Sequence, residues 1–364
     1  MTAETPLVIT AREGFAGVIR LNRPKSLNAL TLPMVRLMRL ALDAFLSDPS
    51  VVLVVLEAVE GRAFCAGGDI RACAESGRAG DGVAEAFWRE EYELIARLAA
   101  SDKPIVALMD GIVMGGGAGL AMHLKHRVAT EKARFAMPEV GIGFLPDVGA
   151  SFLLPRLPNA IGHYLALTGQ PIGAGDMVAA GLADHLVRSE VLPSLRAALT
   201  TAADSASVED LITAHATTVE PELIATQGAL IARAFAAVDV TAIRTILGAV
   251  PGDDPDAAFA AETLTILDAA SPYSLALTTA LLRLGAASPR LEDCLVREFR
   301  AAGFCLSVPD FHEGVRAAVI DKDRKPVWPS ATPGIPLPPI TAILASRPGQ
   351  PDPDFTTYFA HRSS

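Results

Sequence analysis

Two carboxylates and a run of three glycines stand close together near the middle of this chain. Residues 110–155 read DGIVMGGGAGLAMHLKHRVATEKARFAMPEVGIGFLPDVGASFLLP, with Gly115-Gly116-Gly117 first, then Glu139 after Met-Pro and Asp147 after Leu-Pro. Glycine has no Cβ, so its backbone can approach a ligand closely. The residues from Ala118 to Lys125 can open a helix, whose free N–H groups and positive end would face the glycines. A helix start aimed at an oxygen, with carboxylates nearby, is a layout for carbonyl chemistry. One part stabilises an oxyanion, and the other moves protons or attacks. The same glycines would serve a tight turn or a close helix contact, and spacing alone does not choose between these uses. A phosphate-binding reading fits worse. There is no G-x-x-x-x-G-K-[ST], and Gly115-x-Gly117 lacks the full G-x-G-x-x-G spacing with a placed acid.

The elements that must hold these residues are legible around them. Leu7 to Thr10 and Ala16 to Leu21 read as a β-hairpin. Thr31 is an expected N-cap, with Pro33 early in a helix whose apolar residues recur at helical spacing up to Phe45. Val51 to Leu56 is a β-branched run, as in a buried strand. The stretch AFCAGGDI, residues 63–70, is a strand end turning through Gly67-Gly68. Residues 75–83 are small and polar and are expected to form a mobile loop. Ala84 to Ala100 is an expected helix carrying Glu90, Glu91 and Glu93, followed by the strand Ile105–Met109. Strand, glycine turn and helix therefore occur twice, which predicts repeated ββα or βα units with N–H donors at each turn. An oxyanion hole needs two such donors, and each one removed costs on the order of 10²–10³ in rate. Beyond Pro155 the chain is read as mostly helical, with a short strand at Ala183–Val187 and strong helices at Ser274–Leu284 and Leu291–Leu306. The expected organisation is a core over 1–190, a helical region over 191–335 and an extended or partly disordered tail over 336–364.

Composition narrows the function classes. The chain has 364 residues, 51% of them hydrophobic, which is enough for a sizeable core. The net charge of −10 argues against general nucleic-acid or membrane-surface binding, though not against a local basic pocket. The four cysteines form no CxxC metal pattern and read as reduced thiols. The start MTAETPLVITAREG has neither a basic n-region nor an apolar h-region, and a cytoplasmic location is expected. No apolar run reaches the roughly 18–20 residues of a membrane span.

At this point the motifs carry a resemblance. VIRLNRPKSLNALT, AFCAGGDIR, KPIVALMDGIVMGGGAGL and RVATEKARFAMPEVGIGFLPDVGASFLLPRL resemble the enoyl-CoA hydratase/isomerase (crotonase) superfamily over roughly Gly17 to Val187. FWREEY (87–92), MPE (137–139), PDVG (146–149), SPYSL (271–275) and DFHEGVRAAVIDKD (310–323) resemble its 3-hydroxyisobutyryl-CoA hydrolase branch. The resemblance implies an α/β fold, a spiral of ββα units with an appended C-terminal helical region, binding an acyl-CoA. It implies an oxyanion hole made by the backbone N–H groups of Gly68 and Gly116, which agrees with the two turns. Hydratases carry a glutamate just after the triple glycine and a second at the position of Glu139. Here the first position is Gly119, so water addition by a glutamate pair is disfavoured. The hydrolase branch instead shows Asp147 and Glu91 beside Glu139.

The expected reaction is hydrolysis of a short 3-hydroxyacyl-CoA thioester, 3-hydroxyisobutyryl-CoA first, as in valine catabolism. Glu139 would act as general base on water or attack the carbonyl itself, and Asp147 would orient the 3-hydroxyl or share proton transfer. Glu91 and Gly67 are taken as substrate-binding, and Lys25 as a candidate contact for CoA phosphates, as is Arg23. No metal is expected, and no cofactor beyond the coenzyme A of the substrate. No nucleic-acid or membrane partner is expected, and the family allows a homo-oligomer. His123, His126 and His312 lack ligand spacing and read as packing residues, and Cys65 reads as core. A hydratase using Glu139 alone, and a CoA-binding protein without turnover, are the competing readings.

Overall fold

The apolar runs of the first half become the strands of two sheets. In the computed structural model, which describes residues 6–237, 239–331, 338–347 and 349–356, β1 (Val8–Glu13) and β2 (Ala16–Leu21) form the expected hairpin. Each later turn of the chain lays one strand in a first sheet and a short one in a second. These pairs are β3 (Leu53–Ala58) with β4 (Ala63–Cys65), β5 (Ile105–Met109) with β6 (Ile112–Met114), and β7 (His126–Thr130) with β8 (Arg134–Ala136). β9 (Ile172–Gly173) ends the second sheet and β10 (His185–Val187) ends the first. The first sheet runs β1-β2-β3-β5-β7-β10 and is parallel from β2 onward. The second runs β4-β6-β8-β9, with β9 antiparallel to β8. β5 is buried along its whole length, as the strands of a parallel sheet covered on both faces are.

Helices fill the spaces between turns. Thr31 accepts from the Met34 N–H and starts α1 (Leu32–Ser47), as expected. Of the stretch 75–83 read as a mobile loop, 75–79 belong instead to α2 (Ile70–Ala79), and 80–82 form a short link to the next helix. Asp69 caps its start, Gly80 ends it in the left-handed region, and Cys73, Ala74 and Ser76 form its buried side. The helix is polar on average and carries Gly77 inside it, so the stretch resembles a loop in sequence. Next come α3 (Val83–Ala99) and α4 (Gly116–Met122), so the second helix starts within the glycine run rather than after it. Then follow α5 (Ala150–Leu153), α6 (Ile161–Thr168) and α7 (Ala174–Ala179).

The second half wraps the sheets. α8 (Leu192–Thr201) and α9 (Val208–His215) bring Leu195, Leu199, Val208 and Ile212 onto Val18, Val55 and Val106 of the first sheet. α10 (Leu223–Phe235), α11 (Val240–Gly248), α12 (Ala257–Ala269), α13 (Pro272–Ala286), α14 (Leu291–Cys305) and α15 (Pro309–Val315) follow. One continuous apolar cluster joins Leu281, Leu295 and Phe311 from these helices to Phe64, Leu120 and Phe144. The chain is thus an α/β fold of ββα units with a helical C-terminal region.

Part of the tail is packed rather than free. α16 (Ile340–Ile343) buries Ile343, Arg300 on α14 pairs with Asp352, and Glu93 accepts from the Asp354 N–H. The expectation for 336–337, 348 and 357–364 lies outside the described residues. Among the described residues no helix is long and apolar enough to cross a membrane.

Candidate active site

The parallel pairing of β4 with β6 makes both glycine turns leave the second sheet at the same end. Gly67, at φ +104°, is backed so closely by the other turn that an added Cβ would lie 3.6 Å from the Gly116 nitrogen. Leu30 N–H donates to the Gly67 carbonyl at 2.8 Å and fixes the first turn. Gly116 opens α4, where the first N–H groups have no partner within the helix. Gly67, Gly68 and Gly116 all line one cavity of about 210 Å³.

The three acids singled out in the sequence line the same cavity. Glu139 starts a 3-10 turn, Glu139–Ile142, directly after Pro138 and is buried, with Oε2 accepting no hydrogen bond. Glu91 comes from α3 and is 1% exposed, with Oε1 equally without a donor. Its neighbours behave differently, since Glu90 pairs with Arg36 and the buried Glu93 with Arg39. Glu91 lies directly over Gly116, so a side chain at 116 would collide with its Oε1. Asp147 does not cap the following helix. It is buried and accepts a 2.6 Å hydrogen bond from the Tyr92 hydroxyl.

Burial sets the charge state of this cluster. It pushes the Glu91 and Glu139 carboxyls well above the usual carboxylate range, and the nearby Asp147 charge pushes both further. Asp147 is raised by burial to about 7, against the Tyr92 hydrogen bond, which favours its ionised form. A carboxyl held at about 7, as Asp147 is, can exchange protons near neutral pH.

Much of the remaining lining is apolar. Phe87 and Trp88 of α3 belong to it, with Phe144 stacked on Trp88 at 5.2 Å between ring centres. Val319, from the π-helical turn Arg316–Ile320 after α15, closes one side. Its carbonyl accepts from Arg71 on α2 at 3.2 Å.

Gly119 has no room for the second hydratase acid. A Cβ there would lie 2.6 Å from Val148 Cβ and 2.8 Å from Ile95 Cδ1. Val148 and Ile95 therefore fill the place from which a glutamate at 119 would reach.

The remaining candidates lie elsewhere. Lys25 is exposed on a 3-10 turn, Pro24–Ser26, and does not line the cavity. Arg23 pairs with Asp69 at 2.9 Å and also donates to the Ala29 carbonyl. Cys65 is buried with its thiol pushed up to about 12, which rules it out as a nucleophile. His123 contacts the Val148 carbonyl, His126 contacts Glu209, and His312 contacts the Leu306 carbonyl. Tyr92, Trp88, Phe144 and Val319 had no role from sequence. Trp88 and Tyr92 lie in FWREEY and Val319 in DFHEGVRAAVIDKD, motifs of the resemblance, but nothing in the sequence assigns these side chains to the cavity or to Asp147.

Known proteins share this arrangement of chain. The model described as enoyl-CoA hydratase/isomerase matches residues 16–334. The mitochondrial 3-hydroxyisobutyryl-CoA hydrolase of Xenopus tropicalis is 43% identical over 327 residues, covering 88% of this chain and 83% of that one. A carnitinyl-CoA dehydratase from Mycobacterium thermoresistibile, 36% identical, superposes with a TM-score of 0.88 over 96% of this chain and 99% of its own. An enoyl-CoA hydratase from Rhodobacter sphaeroides 2.4.1, 39% identical, superposes with a TM-score of 0.85 over 96% of this chain and 100% of its own. By sequence match along nearly its whole length and by fold, this chain belongs to the enoyl-CoA hydratase/isomerase family.

Proposed function

We propose that the chain hydrolyses the thioester of a short 3-hydroxyacyl-CoA, 3-hydroxyisobutyryl-CoA first, giving 3-hydroxyisobutyrate and coenzyme A. The observation that carries this is the exchange of acids around one cavity. The place of a second hydratase glutamate is packed with Val148 and Ile95, while Glu91 and Asp147 join Glu139. The name of the 43% identical Xenopus relative agrees with it.

In this reading the thioester oxygen sits against the N–H groups of Gly68 and Gly116, which oppose its developing charge. Glu139 supplies the free carboxylate oxygen that acts on the carbonyl carbon. As a base it takes a proton from water, and the resulting hydroxide adds to the carbon. As a nucleophile it forms a mixed anhydride, which water then opens. Either way the C–S bond breaks, the sulfur leaves as thiolate and is protonated, and one water is consumed. Asp147 receives the 3-hydroxyl or relays the proton, and Glu91 and Gly67 shape the acyl end. Lys25 is assigned to the CoA phosphates outside the cavity, and Lys25→Ala raises KM with kcat unchanged if so. No cofactor beyond the substrate's own coenzyme A is assigned. Valine breakdown is the proposed setting and the cytoplasm the proposed compartment, which cell fractionation tests.

The names of the two solved neighbours favour a second reading, hydration of an enoyl-CoA by Glu139 alone. One assay separates the two. Thiol release from 3-hydroxyisobutyryl-CoA is followed with a thiol-reactive dye, beside crotonyl-CoA watched for loss of its enoyl absorbance. Thiol release that vanishes in Glu139→Gln supports the hydrolase. Enoyl loss without thiol release supports the hydratase.

A further inference from the structure

Asp147 sits on neither a helix nor a strand, and its backbone neighbours need outside support. Val148 lies at φ +55° and Gly149 at φ +84°. A β-branched residue in the left-handed region persists only where the surroundings over-determine it. The support comes from α14, in the helical region beyond the sheets. Glu298 is fully buried there and uses both carboxylate oxygens on this turn. Oε2 accepts from the Gly149 N–H at 2.7 Å, and Oε1 accepts from the Ser151 N–H at 2.9 Å and the Ser151 hydroxyl at 2.5 Å. The next residue, Phe299, meets the Tyr92 ring edge-on at 6.5 Å, and Tyr92 donates to Asp147. One helix thus holds Asp147 by its following backbone and by its side-chain donor. Neither Glu298 nor Phe299 lines the cavity.

We propose that Glu298 is a positioning residue for Asp147, its two carboxyl oxygens fixing the left-handed turn that aims Asp147 into the cavity. This rests on the role given to Asp147 under the proposed function. An acid buried to this depth is costly, and three donors converging on it restrain the chain more tightly than apolar packing would. The consequence is that the C-terminal helices complete the site rather than merely cover it.

A double-mutant cycle tests this, with kcat and KM read from thiol release on 3-hydroxyisobutyryl-CoA. Glu298→Gln is expected to lower kcat about 30- to 100-fold, as a small misplacement of a reacting group does, with KM within about threefold. Added to Asp147→Asn, it is expected to cost less than about threefold more, because two residues acting as one unit are not additive. Ser151→Ala removes only one of the three hydrogen bonds and guards against misfolding of the first variant. It is expected to lose about 2- to 10-fold in kcat alone and nothing in the Asp147→Asn background. Equal fold-losses in both backgrounds, or Glu298→Gln and Ser151→Ala both at wild-type kcat, would overturn the positioning role. If Glu298→Gln does not fold, Ser151→Ala decides by the same comparison. Near-normal turnover of Asp147→Asn itself would remove the role of Asp147 and this proposal with it.

Discussion

Tyr92 holds its hydroxyl 2.6 Å from Asp147 Oδ2, and Asp147 shares its cavity with Glu91 and Glu139, each of which has one buried oxygen without a donor. The phenol's hydrogen bond favours the charged form of Asp147, against burial that opposes it. Tyr92→Phe removes that bond and leaves the ring packing on Phe299 in place. The Asp147 carboxyl then titrates higher than the value of about 7 it has with the phenol. A step that needs ionised Asp147 loses rate at low pH first. The acid limb of kcat/KM should move to higher pH in Tyr92→Phe, with a larger loss near pH 6 than near pH 8.5. A pH–rate profile checks this. An acid limb that stays or moves down would mean that Asp147 works protonated or not at all.

The packing over Gly119 predicts a failed conversion. Placing a glutamate there would recreate the hydratase pair on paper, but Val148 Cβ and Ile95 Cδ1 already occupy the space at 2.6 and 2.8 Å. Even Gly119→Ala should lower stability by about 1–3 kcal/mol in urea unfolding, the usual cost of overfilling a core. Gly119→Glu should show no hydration of crotonyl-CoA in whatever fraction folds. Efficient hydration would mean that Val148 yields easily and that the reaction class is decided elsewhere.

Val319 sets one boundary of the cavity from outside the sheets. Its turn is tied to α2 through the Arg71 bond to its carbonyl. Val319→Phe should fill space that the branched acyl group needs, cutting kcat/KM for 3-hydroxyisobutyryl-CoA by about 10-fold or more, on the scale of small-group discrimination in apolar pockets. 3-Hydroxypropionyl-CoA, which lacks the methyl branch, should lose less. Competition kinetics with the two esters read this ratio directly. An unchanged ratio would place the acyl group against another wall.

Much of this was open to reading from sequence, for physical reasons that differ by element. The hairpin, α1, α3 and β5 follow from periodicity and caps, because long apolar patterns outweigh local ambiguity. Glu139, Asp147 and Glu91 could be picked out through the resemblance, and folding brings them into one cavity. The glycine turns were visible because a residue without Cβ marks close backbone approach. α2 was hidden because it is polar on average and carries Gly77 inside it, although Cys73, Ala74 and Ser76 gather on one buried side. Glu298 was hidden for another reason. In the sequence it is one acid among several on a helix, and only the chain path from α5 to α14 makes it the acceptor for a turn far away. Val319 likewise acquires meaning only from long-range packing.

The buried acids carry a stability cost whose pH dependence has a definite sign. Glu91 and Glu139 hold their protons well above the usual range, Asp147 to about 7 and Glu298 to about 8, with burial the largest cause in each. In the unfolded chain such groups titrate near 4. Between about 4 and 8 the native state therefore binds more protons than the unfolded state. The stability these groups allow is full below about 4 and is lost as pH rises through their folded values. Glu91→Gln keeps the shape of the side chain and removes one of these charges, at a position where Oε1 has no donor to lose. Its urea midpoint should exceed that of the wild type near pH 8.5, and the gap should shrink towards pH 5, where the native acid is already protonated. Turnover should fall in the same variant, because Glu91 lines the cavity, so stability and activity should part company as they do where a functional site stores unfavourable charge. A lower midpoint near pH 8.5 would instead show that a bound partner holds Glu91 ionised in solution.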